Sequence, residues 1–263
     1  MSQDDGMMTT AGHLEVLRKM LFRILAVVFT IAVLVFCFKE TTFNMLLAPS
    51  EYTFCTYQWI EKFIQMCGIA DFHFEEFHID LIATDLSSQF MTHITTAFYL
   101  GLLGASPYIV YELFCFISPA LYENERKYSV RISVIVYAMF ILGLLMCYFI
   151  LFPISFRFLG TYSVDTRVHS TITLDSYIET FTTLAIVMGL VFQLPIISFF
   201  LGKLGFITDD MLRQYRKHAF LIIMLVAAII TPPDLMTLIL VTIPLYLLYE
   251  VSIKVVRRTG KAT

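Results

Sequence analysis

Acidic and basic side chains crowd one short stretch of this chain. In FCFISPALYENERK, residues 114–127, Glu123 and Glu125 stand beside Arg126 and Lys127, Phe116 adds an aromatic ring, and Ser118-Pro119 interrupts helical structure. Long apolar runs flank the stretch on both sides, which sets it at a membrane surface. Charge at membrane depth or at its edge is costly, so such residues are functional candidates by default. The chemistry they offer is recognition: a mixed-charge loop with an aromatic suits contact with another chain, beyond joining two helices. The alternative is that these charges are solvated anchors of the kind that flank most spans.

Other constellations are weaker. No P-loop, GxGxxG, HEXXH, CxxC or GxSxG is present, so no enzyme and no nucleotide cofactor are expected. DFHFEEFHID, residues 71–80, offers His73, Glu75, Glu76, His78 and Asp80. Their alternation with Phe72, Phe74, Phe77 and Ile79 is equally that of a half-buried strand, no second ligand cluster accompanies them, and no metal is assigned. Of the five cysteines, Cys37, Cys115 and Cys147 lie in or beside apolar runs and act as small apolar residues. Cys55 and Cys67 share one outer segment and are a candidate disulfide. Two separate thiols are the alternative, because a straight helix between them would hold their ends roughly 18 Å apart. Gln193 is the polar residue deepest in an apolar run. With Pro195 removing a backbone donor nearby, its amide either bonds a partner helix or a freed carbonyl of its own helix. Pro49 ends a short turn, and Pro232, Pro233 and Asp234 force another, with Asp234 placed to cap the helix that follows.

The elements that must position these residues are membrane helices. Apolar residues make up 58% of the 263-residue chain and charged residues 15%, with 25 Phe, too much apolar surface for one water-soluble domain to bury. Six runs stand out, at roughly 20–38, 90–113, 130–152, 177–201, 219–230 and 235–249. The first four are long enough for a ~30 Å hydrocarbon layer, and the last two are short. The first starts well inside the chain without a small-x-small cleavage site, so it is expected to be a retained span. Arg18, Lys19 and Arg23 precede or begin the first run, and Arg126, Lys127 and Arg131 follow the second. Lys203, Arg213, Arg216 and Lys217 lie between the fourth and fifth, and Lys254, Arg257, Arg258 and Lys261 follow the sixth. These are fourteen of the 18 Lys and Arg, and they alternate with loops holding only Lys39, Lys62, Arg157 and Arg167. That places both termini in the cytoplasm. The expected fold is therefore all-α: one integral membrane domain over 1–263 with six spans and two extracytoplasmic loops, 39–89 and 153–174. In the first loop, Tyr57 to Met66 reads as an amphipathic helix with Trp59, Phe63 and Met66 on one side; in the second, Thr173-Leu174-Asp175 reads as a helix start. A net charge of −3 without a basic block excludes a nucleic-acid partner.

Several motifs in order give the chain a family resemblance. They are HLEVLRKM, LAPS, IATD, FISPALYENERK, FQLPI, LRQYRKHAF, AAIITPPD and IPLYLLYE, spread from His13 to Glu250. This pattern resembles TatC, the polytopic core subunit of the twin-arginine protein translocase. The resemblance implies a bacterial inner-membrane protein that receives folded cargo bearing twin-arginine signal peptides. It also implies assembly with single-span subunits of the TatA and TatB type into an oligomeric complex in the lipid, with transport driven by the proton-motive force. The family's acid that pairs with signal arginines matches Glu125, and its loop aromatic matches Phe116. Glu112, one helical turn before Phe116, is positioned to add a second carboxylate, and guanidinium groups seek carboxylates in bidentate geometry. The family's N-terminal acid directly before Leu-Arg is here Val16, with Glu15 one place earlier, a turn of about 100° around a helix. Glu15 is therefore expected to contribute less. The family often has an acid where this chain has Gln193, which leaves a hydrogen-bonding role and, with Pro195, a docking position for a partner helix. A small-molecule or ion transporter is the competing class. It would show broken helices in two matched halves and charge deep in the membrane, neither of which the sequence offers. A membrane-embedded enzyme would need a His/Asp/Glu cluster within the spans.

Overall fold

The computed structural model describes residues 10–68, 77, 79–117, 129–162, 165, 171–231 and 234–259, and the side chains among them except at 10–13, 114–117, 129–133 and 259. Among these residues the helices are α1 (Thr10–Cys37), α2 (Lys39–Leu47), α3 (Cys55–Met66), α4 (Ser88–Ile117), α5 (Ser129–Met146), α6 (Phe152–Thr161), α7 (Leu174–Val191), α8 (Leu194–Lys203), α9 (Asp209–Gln214), α10 (Arg216–Ile230) and α11 (Leu235–Thr259). Two short strands, β1 (Leu81–Ile82) and β2 (Ile172–Thr173), pair in parallel with Leu81 opposite Ile172. Five helical stretches, 14–37, 88–113, 134–161, 174–203 and 235–258, are long and apolar enough to cross a membrane. The chain forms two compact units, residues 1–39 with 93–137 and residues 40–92 with 138–263.

In the first unit α1 packs antiparallel to α4. Phe36 stacks on His93 with ring centroids 4.1 Å apart, Ala32 meets Gly101, and Arg23 reaches Glu112. Gly101 is what lets the two backbones approach, since a Cβ there would lie 2.8 Å from Ala32 Cβ and 3.0 Å from its backbone. Without a hydrophobic drive between helices in lipid, small residues at the contact supply the association through close packing.

The core of the second unit is aromatic. Tyr177 is fully buried, donates from its hydroxyl to Leu46 O at 2.7 Å, and meets Phe152 and Phe156 edge-on at 4.9 Å each. The helix start expected at Thr173 is present, its side chain accepting from Ser176 N at 3.2 Å. Asp175 in that first turn accepts from the hydroxyls of both Ser88 and Thr92, which ties the start of α4 to α7. Pro49 sits buried in a 3-10 turn, Ala48–Ser50, directly after α2. Asp234 caps α11 as expected, accepting from Thr237 N at 2.7 Å and from the Thr237 hydroxyl; Pro232 and Pro233 lie outside the described residues.

Several expectations need correction. The third span does not stop at Phe152: a wide π turn, Cys147–Leu151, leads into α6, so helix continues through Pro153 to Thr161 inside the segment expected as a loop. Pro153 has no amide for the carbonyl four residues back. The Thr56 hydroxyl donates to that carbonyl, Phe149 O, instead. The fourth span is broken between α7 and α8, because Pro195 cannot donate to Val191; Phe192 N and Gln193 N close a tight turn onto Met188 O and Leu190 O, each at 3.0 Å. Only one of the last two helices is short. At 15 residues α10 spans about 22 Å, whereas α11 has 25 residues and passes Glu250, whose charge is met by Arg216 at 2.8 Å. Cys55 and Cys67 are free thiols: they lie at opposite ends of α3, a 12-residue helix, too far apart for a bond.

Gly143 gives a test of the second unit's packing. A Cβ there would stand 2.6 Å from Met188 O, so α5 and α7 meet backbone to side-chain position. Gly143→Ala is expected to lower stability by about 1–3 kcal/mol, read as a reduced melting temperature in detergent. A variant that melts with the wild type would show that the contact yields freely.

Candidate functional site

Among the described residues, unit one carries a buried acidic side chain. Glu112 lies in the penultimate turn of the described α4 and is only 6% exposed. A carboxyl group loses its hydration there, and two donors take the place of water. Arg23 Nη2 donates to Glu112 Oε2 at 2.8 Å, and the Tyr108 hydroxyl donates to Oε1 at 2.6 Å. Tyr108 reaches it because i and i+4 share one helix face. The Arg23 side chain remains 58% exposed, so the pair has a wet cationic half and a buried anionic half. Its single N–O contact uses one edge of the guanidinium and one oxygen.

Glu15 is in a different setting. It pairs with Lys19 at 2.7 Å, one turn on, and both side chains are mostly exposed, a geometry that contributes little to stability. Glu15, Lys19 and Arg23 follow the i, i+4, i+8 ridge of α1, so Glu15 stands two turns, about 12 Å of helix rise, from the residue that holds Glu112. The structure thus does not bring Glu15 and Glu112 together. Phe116 falls in the last turn of α4 with its side chain outside the description, and Glu125 lies outside the described residues. The same is true of His73, Glu75, Glu76 and His78.

Gln193 stands at the break between α7 and α8. Its Nε2 donates to Gly189 O at 3.3 Å, the carbonyl that Gln193 N leaves when it turns to Leu190 O. Of the two bonds left open by the sequence, the internal one is therefore made. Pro195 is buried beside it.

Arg23 and Tyr108 were not legible as site residues. Arg23 reads as one more basic residue at a span end, and Tyr108 as one more aromatic. The signal that finds them is spacing from Glu112: an acid inside an apolar run needs a donor, and Tyr108 is one turn away.

Comparison with known proteins agrees with this architecture. The profile of the family "Sec-independent protein translocase protein (TatC)" matches residues 12–244. The Sec-independent protein translocase protein TatC of Blattabacterium sp. subsp. Periplaneta americana (strain BPLAN) is 35% identical over 244 residues, 92% of each chain. The TatC protein of Desulforapulum autotrophicum is 31% identical over 261 residues, 99% of this chain and 88% of that one. A crystal structure of the twin arginine translocase receptor TatC superposes with a TM-score of 0.73 at 28% identity, covering 94% of this chain and 99% of that chain. With a family match over most of its length and spans that fit it, the chain belongs to the TatC family, as a multi-pass component of the bacterial inner-membrane, Sec-independent twin-arginine protein translocase.

Proposed function

We propose that this chain is the signal-receiving core of its translocase. It has six spans, α10 being the short one, and both termini in the cytoplasm. Twin-arginine signal peptides of folded precursors bind at the cytoplasmic end of α4, where Glu125 takes a signal arginine, Phe116 packs beside it and Glu112 adds a second carboxylate. Single-span subunits of the TatA and TatB type dock along the fourth span at Gln193 and Pro195. The assembled oligomer moves cargo at the expense of the proton-motive force. The observation that carries this reading is Glu112: a buried carboxylate near the end of a membrane helix, already holding a guanidinium in the way a signal arginine would be held.

Gln193 supports the docking half through its chemistry. It places an amide, a group that joins helices in lipid by hydrogen bonds, at the break in the fourth span. Photocross-linking from position 193 in an active complex is expected to capture the membrane helix of a single-span subunit. Affinity purification of the tagged chain is expected to bring down the same subunits and twin-arginine precursors, and a precursor with Lys-Lys in place of Arg-Arg should be lost. Capture of this chain's own helices alone, or equal retention of both precursors, would overturn the corresponding half of the reading.

A further inference from the structure

Helix α3 presents three faces, and two of them are accounted for. Thr56 and Tyr57 turn to the protein, Thr56 donating to Phe149 O and the Tyr57 hydroxyl lying 2.9 Å from Pro153 O. Gln58 and Lys62, one turn apart, are polar and exposed. The third face, Trp59, Phe63 and Met66 at i, i+4 and i+7, is apolar yet 59%, 68% and 87% exposed. Three large apolar side chains in one exposed row mark a surface built for contact.

Depth along the neighbouring span selects what covers that face. Between Arg131 and Arg157 the chain carries no charge. About twenty helical residues centred in that interval cross a ~30 Å hydrocarbon layer and end near residue 154. Tyr57 meets Pro153 at that edge. Trp59 stacks on Phe149 with ring centroids 6.3 Å apart, at a level about 7 Å inside the edge. Helices that lie on a membrane bury their apolar side ~5–10 Å into the boundary between headgroups and acyl chains, the same range. Phe149 also follows Leu142 and Leu145 at i, i+3 and i+7. Both leucines are exposed, so the stripe prolongs an exposed apolar face of a membrane-crossing stretch. Side-chain size disfavours a partner helix there. Helices associate in lipid through small residues that let backbones approach, and Trp, Phe and Met offer none, whereas Trp is enriched where hydrocarbon meets headgroups. We infer that α3 is a membrane-surface helix, its Trp59, Phe63 and Met66 stripe inserted among phospholipid acyl chains at the edge of the bilayer and its Gln58 and Lys62 side turned to headgroups and water.

Trp59 is the chain's single tryptophan, so its emission tests the wild type directly. In proteoliposomes of the full-length protein, dioleoylphosphatidylcholine is exchanged for phosphatidylcholine brominated near the top of its acyl chains. The brominated lipid is expected to lower the emission about twofold or more, while iodide in the water leaves it nearly unchanged. Moving the probe extends the test along the helix. In a Trp59→Phe background, Phe63→Trp and Met66→Trp should be quenched by the brominated lipid as the wild type is, and Lys62→Trp by iodide instead. All of these positions are exposed, and the wild type keeps the inference testable if a variant fails to fold. Quenching of the wild type or of Met66→Trp by iodide and not by the brominated lipid would leave the stripe in water and overturn the inference. Protection from both quenchers, or emission that shifts as the protein is diluted in lipid, would set the stripe against a protein partner or a second copy of this chain and overturn it equally.

Discussion

Tyr57→Ala is expected to destabilise the second unit more than any other single truncation in the outer segment. Tyr57 is 2% exposed, and its ring meets Phe77 edge-on at 5.4 Å and carries the Arg157 guanidinium. Its hydroxyl lies 2.9 Å from two carbonyls, Pro49 O and Pro153 O, and so joins the turn after α2 to the start of α6. Both carbonyls belong to prolines, in places where the backbone has fewer amides to offer. Removing the ring leaves a cavity and should cost about 3–5 kcal/mol. Tyr57→Phe keeps the packing and strands the carbonyls, at about 1–3 kcal/mol. The chain has a single tryptophan, Trp59, two residues along the same helix, so its emission reports unfolding locally. Burial pushes the Tyr57 phenol above its usual range, with Arg157 opposing the shift. A raised phenol keeps its contribution in full below the unfolded value near 10 and loses it only as pH climbs beyond. The difference between wild type and Tyr57→Phe should therefore be flat between about pH 6 and 9. Equal melting of wild type and Tyr57→Phe would show that the two carbonyls are satisfied by other groups.

Five of the spans were legible because hydrocarbon length is a strong signal that depends on composition alone. So were the local caps: Thr173 and Asp234 act within three residues of themselves, and no distant contact overrides them. The amphipathic helix expected at 57–66 is α3, and its outer stripe of Trp59, Phe63 and Met66 is exposed as a row. What the sequence misplaced were ends and breaks, where a distant residue decides. Helix passes Pro153 because Thr56, far away in sequence, supplies the missing donor. Helix α11 passes Glu250 because Arg216 lies against it. Cys55 and Cys67 share an outer segment, yet α3 between them is straight and keeps them apart.

The site divides in the same way. Glu112 was singled out for its place one helical turn before Phe116, and the structure places it buried near the end of α4. Its guanidinium partner comes from α1, 89 positions away, and no periodicity within either helix announces the pairing. Asp175 was read only as part of a helix start, whereas it also gathers the hydroxyls of Ser88 and Thr92 from another helix. Both examples have one cause: a carboxylate inside apolar surroundings must collect donors, and the fold draws them from whichever helix is adjacent.

The same requirement sets the expected ranking of acid variants in signal-peptide binding. Glu125→Ala should weaken binding of a twin-arginine peptide by roughly 30-fold, since a charge-assisted guanidinium contact at a partly desolvated site is worth on the order of 2 kcal/mol. Glu112→Gln should weaken it less, by about three- to tenfold, because that carboxylate already has Arg23 and Tyr108 as donors and a signal arginine must share it with them. Glu15→Ala should change affinity by less than about threefold, as the carboxylate is exposed and paired with Lys19 on its own helix. Titration of a fluorescent peptide against the purified protein measures all three. The salt dependence separates the causes: near 1 M ionic strength the screening length is about 3 Å, so any effect of Glu15 should vanish while that of buried Glu112 persists. If Glu125→Ala bound the peptide as tightly as wild type, the acidic loop would not be the receptor site. If Glu15→Ala were the most damaging of the three at both salt levels, the site would lie along the first turns of α1, two turns from where Arg23 meets Glu112.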